Sequence, residues 1–246
     1  MRNDVPITGD PLCSPESSVG QMFDRIAPTY DLLNHLLSLG RDSSWRRRVA
    51  GQLDGNGPIE VVDLATGTGD LLICFLRKHK NIVRAVGLDI SEKMLGVCRE
   101  KLHRRNLAER AELLCAAASA MPFSDGVFDA ATMAFGIRNT DETAATLKEI
   151  RRVLKPGGIA LILEFSLPRH RVMRWSYLQY LRLAVPFVGA LVSGDRYAYR
   201  YLNQSIESFC QREALSSVMR HAGFGEISVI PLSFGVASIY RGVRSE

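Results

Sequence analysis

From residue 59 onward, short unbroken apolar runs alternate with stretches whose apolar residues recur every three to four positions. The runs at 59–64, 83–88, 111–115, 128–135 and 159–165 predict strands, mostly buried on both faces, because a half-exposed strand would alternate apolar with polar. Helices are predicted between them over 69–79, 91–103 and 141–154. This interleaving predicts an α/β fold, a mostly parallel sheet with helices on both faces. Ser91 starts one helix, and Lys155-Pro156-Gly157-Gly158 stops another and turns the chain.

The two ends read differently. Residues 1–17 are polar and interrupted by prolines, so they are expected to be a disordered leader without a secretory apolar stretch. Residues 18–53 carry Met22, Ile26, Leu32, Leu33, Leu36 and Leu37 at helical spacing, with breaks at Pro28 and Gly40, which predicts a helical cap. Over 168–206 the alternation lapses. There Arg169, Arg171, Arg174, Arg182, Arg196 and Arg200 intersperse with Trp175, Tyr177, Tyr180, Phe187, Tyr197, Tyr199 and Tyr201, predicting an inserted helical segment. A helix over 207–221, a turn at Ala222-Gly223-Phe224 and strands over 226–230 and 234–241 then complete one domain spanning 18–246.

Composition agrees with a single globular domain: 246 residues, 46% hydrophobic and 23% charged. A net charge of +5 is mild for a nucleic-acid binder, and no nucleic-acid partner is expected; charge alone does not exclude an anionic membrane surface. The longest apolar stretch, 183–192, is too short to span a bilayer and contains Pro186. The five cysteines form no C-x-x-C pair and have no histidine at metal-ligand spacing, so reduced thiols and no metal are expected. Together these predict a cytoplasmic protein.

The chemistry begins at 61–70, where Val61-Val62-Asp63-Leu64-Ala65-Thr66-Gly67-Thr68-Gly69-Asp70 runs a buried strand into a glycine turn. Asp89 stands at the tip of the next strand, about the spacing at which an acid accepts hydrogen bonds from ribose hydroxyls. Glycines let the backbone approach a ligand closely, so an adenosine compound is predicted. A dinucleotide fingerprint would put glycine or alanine where Leu72 stands. Asp63 and Asp70 flank the turn, and carboxylates there would repel a pyrophosphate but suit a cationic sulfonium. S-adenosylmethionine is therefore favoured as cofactor, with an NAD(P) oxidoreductase and a non-catalytic binding module as rivals.

Ligands of open α/β sheets bind outside the C-terminal ends of the strands. Ala134-Phe135-Gly136-Ile137-Arg138-Asn139 occupies such an end, and its arginine and asparagine could hold a polar ring substituent. Pairing of Arg138 with an acid such as Asp141 is the plainer alternative. Ala118-Ser119-Ala120-Met121-Pro122-Phe123 means little by itself, since Pro122 and the following Gly126 form turns in any protein.

With these pieces in place, the chain resembles the C-methyltransferases of menaquinone and ubiquinone biosynthesis over nearly all of 21–242. The matching pieces include Met22-Phe23-Asp24-Arg25-Ile26-Ala27 with Tyr30-Asp31 and Asn34, Trp45-Arg46, the glycine turn, Phe135 to Asn139, and Leu154-Lys155-Pro156-Gly157-Gly158. Glu164-Phe165-Ser166, Ser193-Gly194-Asp195 with Tyr199, and Ala222-Gly223-Phe224 continue the match. The resemblance implies a Rossmann-like methyltransferase fold with a seven-stranded sheet and S-adenosylmethionine as donor. It places donor binding on Asp63, Gly67, Thr68, Gly69, Asp89, Ala117, Ala118 and Ala134. Ala117 departs from the family's usual Asp or Asn, and loss of one side-chain hydrogen bond to adenine would weaken binding by about 1 kcal/mol.

The acceptor implied is an isoprenoid quinol, of either the menaquinone or the ubiquinone pathway. Arg138 stays protonated at neutral pH, so it and Asn139 are expected to orient a phenolate or a water rather than remove a proton. Tyr30, Asp31 and Asn34 are candidates for closing the acceptor pocket. The arginine-aromatic segment resembles a surface for the isoprenoid tail and lipid headgroups, a peripheral membrane contact at the inner face; a homo-oligomer contact is the competing reading.

Overall fold

A computed structural model describes residues 18–55, 57–140, 142–185, 205–207, 209 and 212–245. The expected leader over 1–17 and the stretch 186–204 of the expected insertion lie outside them. The chain opens with helices α1 (Ser18–Ile26), α2 (Tyr30–Leu37) and α3 (Asp42–Ala50). Strand β1 (Ile59–Leu64), helix α4 (Asp70–Lys78), strand β2 (Ile82–Asp89) and helix α5 (Glu92–Arg104) follow. Next come β3 (Glu112–Cys115), β4 (Phe128–Ala134), α6 (Thr143–Val153) and β5 (Leu154–Phe165). Helix α7 (Arg171–Gln179) runs on into a wider π turn through Ala184. Helix α8 (Arg212–His221) and strands β6 (Phe224–Leu232) and β7 (Ala237–Arg244) close the fold.

The sheet has seven strands in the order β3-β2-β1-β4-β5-β7-β6. The first five are parallel, and β7 inserts antiparallel between β5 and β6. Each parallel strand therefore ends at one edge, and the order reverses beside β1, where the chain leaves β1 and β4 toward helices on opposite faces and so flanks a crevice. Strand β5 starts at Leu154 rather than residue 159: Phe128 pairs with Leu154 before the ladder resumes at Ala130 with Ile159. Lys155 to Gly158 thus stops α6 as expected but forms a bulge within the strand, with Gly157 at φ 77°.

Two apolar cores sit on opposite faces. One joins the N-terminal helices to α4 and α5 through Met22, Trp45, Leu72, Phe75 and Met94. The other packs Leu147, Ile150 and Val153 of α6 and Leu215 and Met219 of α8 against Val62, Leu64 and Met133. Leu72 is buried against Gly87 of β2, where an added Cβ would meet the Leu72 side chain at 3.0 Å. The close packing that a dinucleotide fingerprint obtains with a small helix residue is obtained here with a small strand residue.

Helix α7 buries Tyr177, Leu181 and Val185 at intervals of four, while Val172 and Trp175 stand exposed. Hydroxyls of Tyr177 and Tyr180 donate to the carbonyls of Leu37 and Leu36, fastening α7 to the end of α2. Cys74 and Cys98 are free thiols as expected, whereas Cys115 is disulfide-bonded, which corrects the expectation of five reduced cysteines.

Candidate functional site

Both central strands end in non-glycine residues with left-handed backbone, Ala65 after β1 (φ 46°) and Phe135 after β4 (φ 58°). Such residues cost about 1–3 kcal/mol each and persist where the surroundings impose them. Gly136 comes next; a Cβ there would lie 2.7 Å from that of Ala65, so only glycine allows the two strand ends to approach. Beyond them lies a cleft whose empty space, the open solvent at its mouth included, is about 770 Å³. Its walls are Ala65 and Gly67 after β1, Leu88 to Ile90 after β2, Ala116 to Ser119 after β3, and Phe135, Gly136, Asn139 and Thr140 after β4. Met94 of α5 and Phe23 and Tyr30 of the cap complete it.

Asp89 organises the β2 side. Its Oδ2 accepts from the Gly67 N–H at 2.8 Å and its Oδ1 from the Ser91 N–H at 2.9 Å, and the Ile90 N–H also bonds the carboxylate, whose remaining lone pair is open to a further donor. Burial pushes its carboxyl up to about 6, against the downward pull of those N–H groups. Ser91 caps α5 by accepting from the Met94 N–H and donates to Asp24 of α1 at 2.5 Å. One side of the cap is fastened there.

The other side is fastened at the glycine turn. Thr68 Oγ1 donates to Asp31 Oδ1 at 2.5 Å, and Lys101 Nζ reaches Thr68 at 2.9 Å, Asp31 at 2.5 Å and Asp70 at 2.7 Å. Asp70 is thus neutralised by Lys101, which leaves Asp63 as the one flanking carboxylate of the two expected to favour a cationic sulfonium. Asp63 lies beneath the turn, where its oxygens accept from Thr66 and Thr132 hydroxyls, each at 2.6 Å. Burial pushes its carboxyl up to about 6 as well.

Arg138 is interior rather than a wall. Its Nη1 donates to Glu164 Oε1 at 2.6 Å and to the Phe135 carbonyl at 2.7 Å, and the two charged side chains are 1% and 0% exposed. Its partner among the described residues is thus the β5 acid; Asp141, the acid suggested by the sequence, lies outside them. Burial raises the Glu164 carboxyl despite Arg138. Asn139 Nδ2 shares the Phe135 carbonyl at 3.1 Å. Burial also raises the Tyr30 hydroxyl, which lies among Asn34, Arg138 and Arg46. Asn34 is itself buried, its side chain beside the Tyr30 hydroxyl.

Among the residues expected from sequence, Gly67, Asp89, Ala117, Ala118, Asn139 and Tyr30 therefore meet at one cavity. Asp63 supports its floor; Thr68 and Asp31 tie the cap down; Gly69 packs on α5, where a Cβ would strike Cys98 Sγ. Ala134, Asn34 and Arg138 are not among the lining residues. Sequence reasoning missed Phe23, Ile90, Met94 and Thr140 as walls and Lys101 and Glu164 as supports. For Glu164 a signal existed: an acid inside an otherwise apolar strand needs a buried partner.

A Cβ-free cradle at Gly67 and Gly136, beside a buried acid at the tip of the second strand, suits an adenosine donor. Residues 13–244 match the model of the ubiE/COQ5 methyltransferase family. The chain belongs to this family. A demethylmenaquinone methyltransferase of Thermus thermophilus is 45% identical over 91% of this chain and 100% of that protein. Another from Bacteroides fragilis is 40% identical over 92% of each. The ubiquinone/menaquinone biosynthesis C-methyltransferase UbiE of Geobacter sulfurreducens is 40% identical over 98% of this chain and 94% of its own. Among solved structures, a possible histamine N-methyltransferase from Thermotoga maritima has a TM-score of 0.65 at 21% identity, covering 92% of this chain and 100% of its own. That likeness shows the fold: Rossmann-like, of the S-adenosylmethionine-dependent methyltransferases. With family and fold together, this family member is an S-adenosylmethionine-dependent methyltransferase.

Proposed function

We propose that the protein methylates a ring carbon of an isoprenoid demethylmenaquinol to give the menaquinol. The observation that carries this is a single cavity in which Asp89, Gly67 and Ala117-Ala118 face Asn139 and Tyr30, in a chain of this family. Asp89 would hold the ribose hydroxyls, the 117–118 backbone the adenine edge. The bound donor supplies an electrophilic methyl group. Asn139 orients a ring oxygen, and Tyr30, whose hydroxyl is held beside Asn34, completes that wall. Arg138 acts as a positioning residue: it holds the Phe135 carbonyl that Asn139 also uses, and so fixes the turn bearing Asn139. Phe23 and Tyr30 exclude water above the reacting groups, where alignment and desolvation contribute most.

A tail-bearing acceptor resides in a membrane. No helix among the described residues is long and apolar enough to cross one. Val172, Trp175 and Leu183 are exposed beside Arg171 and Arg174, an arrangement that supports peripheral contact of α7 with an inner membrane face, the protein itself being cytoplasmic. The test is to incubate the protein and S-adenosylmethionine with reduced demethylmenaquinone and, separately, with the reduced ubiquinone precursor, and to weigh the products. A product one methylene heavier from the first supports the proposal; none from either refutes it.

A further inference from the structure

On the outer side of the cap, away from the donor cavity, helices α2, α3, α4 and α5 enclose a second groove. Its walls carry six cationic side chains: Arg46, Arg47, Arg77, Lys78, Lys101 and Arg105. The three carboxylates in it are committed inward, Asp42 to Arg46 and Asp31 and Asp70 to Lys101. Arg47, Arg77, Lys78 and Arg105 are exposed and make no ion pair among the described residues. With six cations against three carboxylates the groove keeps an excess of three positive charges, its four exposed cations repel one another, and an anion relieves that repulsion.

The rim is not only charged. Leu32 lines the groove and is 49% exposed, and Leu39, beyond the end of the same helix, is 59% exposed. Free anions are normally held by a tight cradle of backbone N–H groups. Here the charges sit instead on long flexible side chains around a wide opening, with leucines beside them, which matches a layer of anionic headgroups above acyl chains. We propose that this groove receives the phosphates of anionic lipid headgroups and sets the α2 cap against the bilayer. It rests on the membrane reading of the proposed function but assigns the electrostatic contact to the α2–α5 groove rather than to α7.

Co-sedimentation of the full chain with vesicles of phosphatidylglycerol and phosphatidylcholine, against phosphatidylcholine alone, tests it. Each basic residue near an anionic surface strengthens partitioning about fivefold at low salt. Arg77→Glu with Arg105→Glu should therefore lower binding to the anionic vesicles by well over tenfold, while the Arg77→Gln/Arg105→Gln pair lowers it less. Thermal unfolding of each variant checks that it is folded. Reversal at Arg171 and Arg174 is the companion arm. Loss of binding there with none in the groove variants overturns this proposal and leaves the α7 reading standing; no binding by the unaltered chain overturns both. Saturation by inorganic phosphate equal to that by vesicles, with no preference for lipid, also overturns it.

Discussion

The two helix layers of this sheet are built from different materials. Behind β1 and β4, α6 and α8 present Leu147, Ile150, Val153, Leu215 and Met219, a dry apolar face. In front, the cap, α4 and α5 have an apolar core too, but its upper rim carries Asp31, Thr68, Lys101, Asp70, Asp42 and Arg46 in mutual contact. A dry layer contributes stability through area and packing, which no ligand needs to disturb. A polar rim is worth little net stability, because desolvation offsets most of each ion pair, but it fixes where the cap sits over the cavity. Support and function therefore lie mainly on different faces, joined where Leu88, Ala116 and Ala118 of the rear core also line the cavity, and substitutions should respond accordingly.

The largest effect is expected at Arg138, which belongs to neither layer's surface. Arg138→Ala leaves Glu164 buried and unpaired and should destabilise the protein by about 3–5 kcal/mol in denaturant unfolding. A loss below about 1 kcal/mol would show that Glu164 is easily protonated and that the pair is not structural. Next, Leu147→Ala in the dry layer should cost about 2–5 kcal/mol while leaving S-adenosylhomocysteine affinity unchanged. A matching loss of affinity would mean that the rear layer shapes the site.

The pH response sharpens the contrast further. Asp63 and Asp89 both have folded-state values near 6, above the ordinary 3.8. Their contribution favours the folded state most below the unfolded value and is lost as pH rises through about 6, amounting to up to about 3 kcal/mol each. Donor binding runs the other way, since the ribose hydroxyls donate to Asp89, which accepts from both only when ionised. Affinity for S-adenosylhomocysteine should fall as pH drops below about 6, by up to tenfold per unit for that carboxyl. Titration calorimetry from pH 5 to 8 reads it, and a flat profile would remove Asp89 from the contact.

How far these features were legible in the sequence follows from their range. Strands β1, β2 and β4 and the glycine turn are local patterns, so apolar runs and Asp89 located one wall of the cavity directly. Leu72 also pointed correctly away from a dinucleotide. Lys101, by contrast, meets Asp31 from 70 positions away, and nothing near either residue in the chain announces the other. Arg138 was legible as unusual but not as buried, because its partner sits on β5, which is adjacent only through sheet order. The β5 bulge was hidden for a related reason: Pro156-Gly157-Gly158 reads as a turn until Phe128 is found pairing with Leu154.

The central claim is that the polar front edge, through Asp89, holds the donor without holding up the fold. Calorimetric binding of S-adenosylhomocysteine to the unaltered chain and to Asp89→Asn, with unfolding measured on both, tests it most directly. The expected result is one site per chain, at least about tenfold weaker in the variant, with unfolding shifted by no more than about 1–3 kcal/mol, because a costly buried charge goes while the amide leaves one of the Gly67 and Ser91 N–H groups without its acceptor. Equal affinity in the two proteins would contradict the claim.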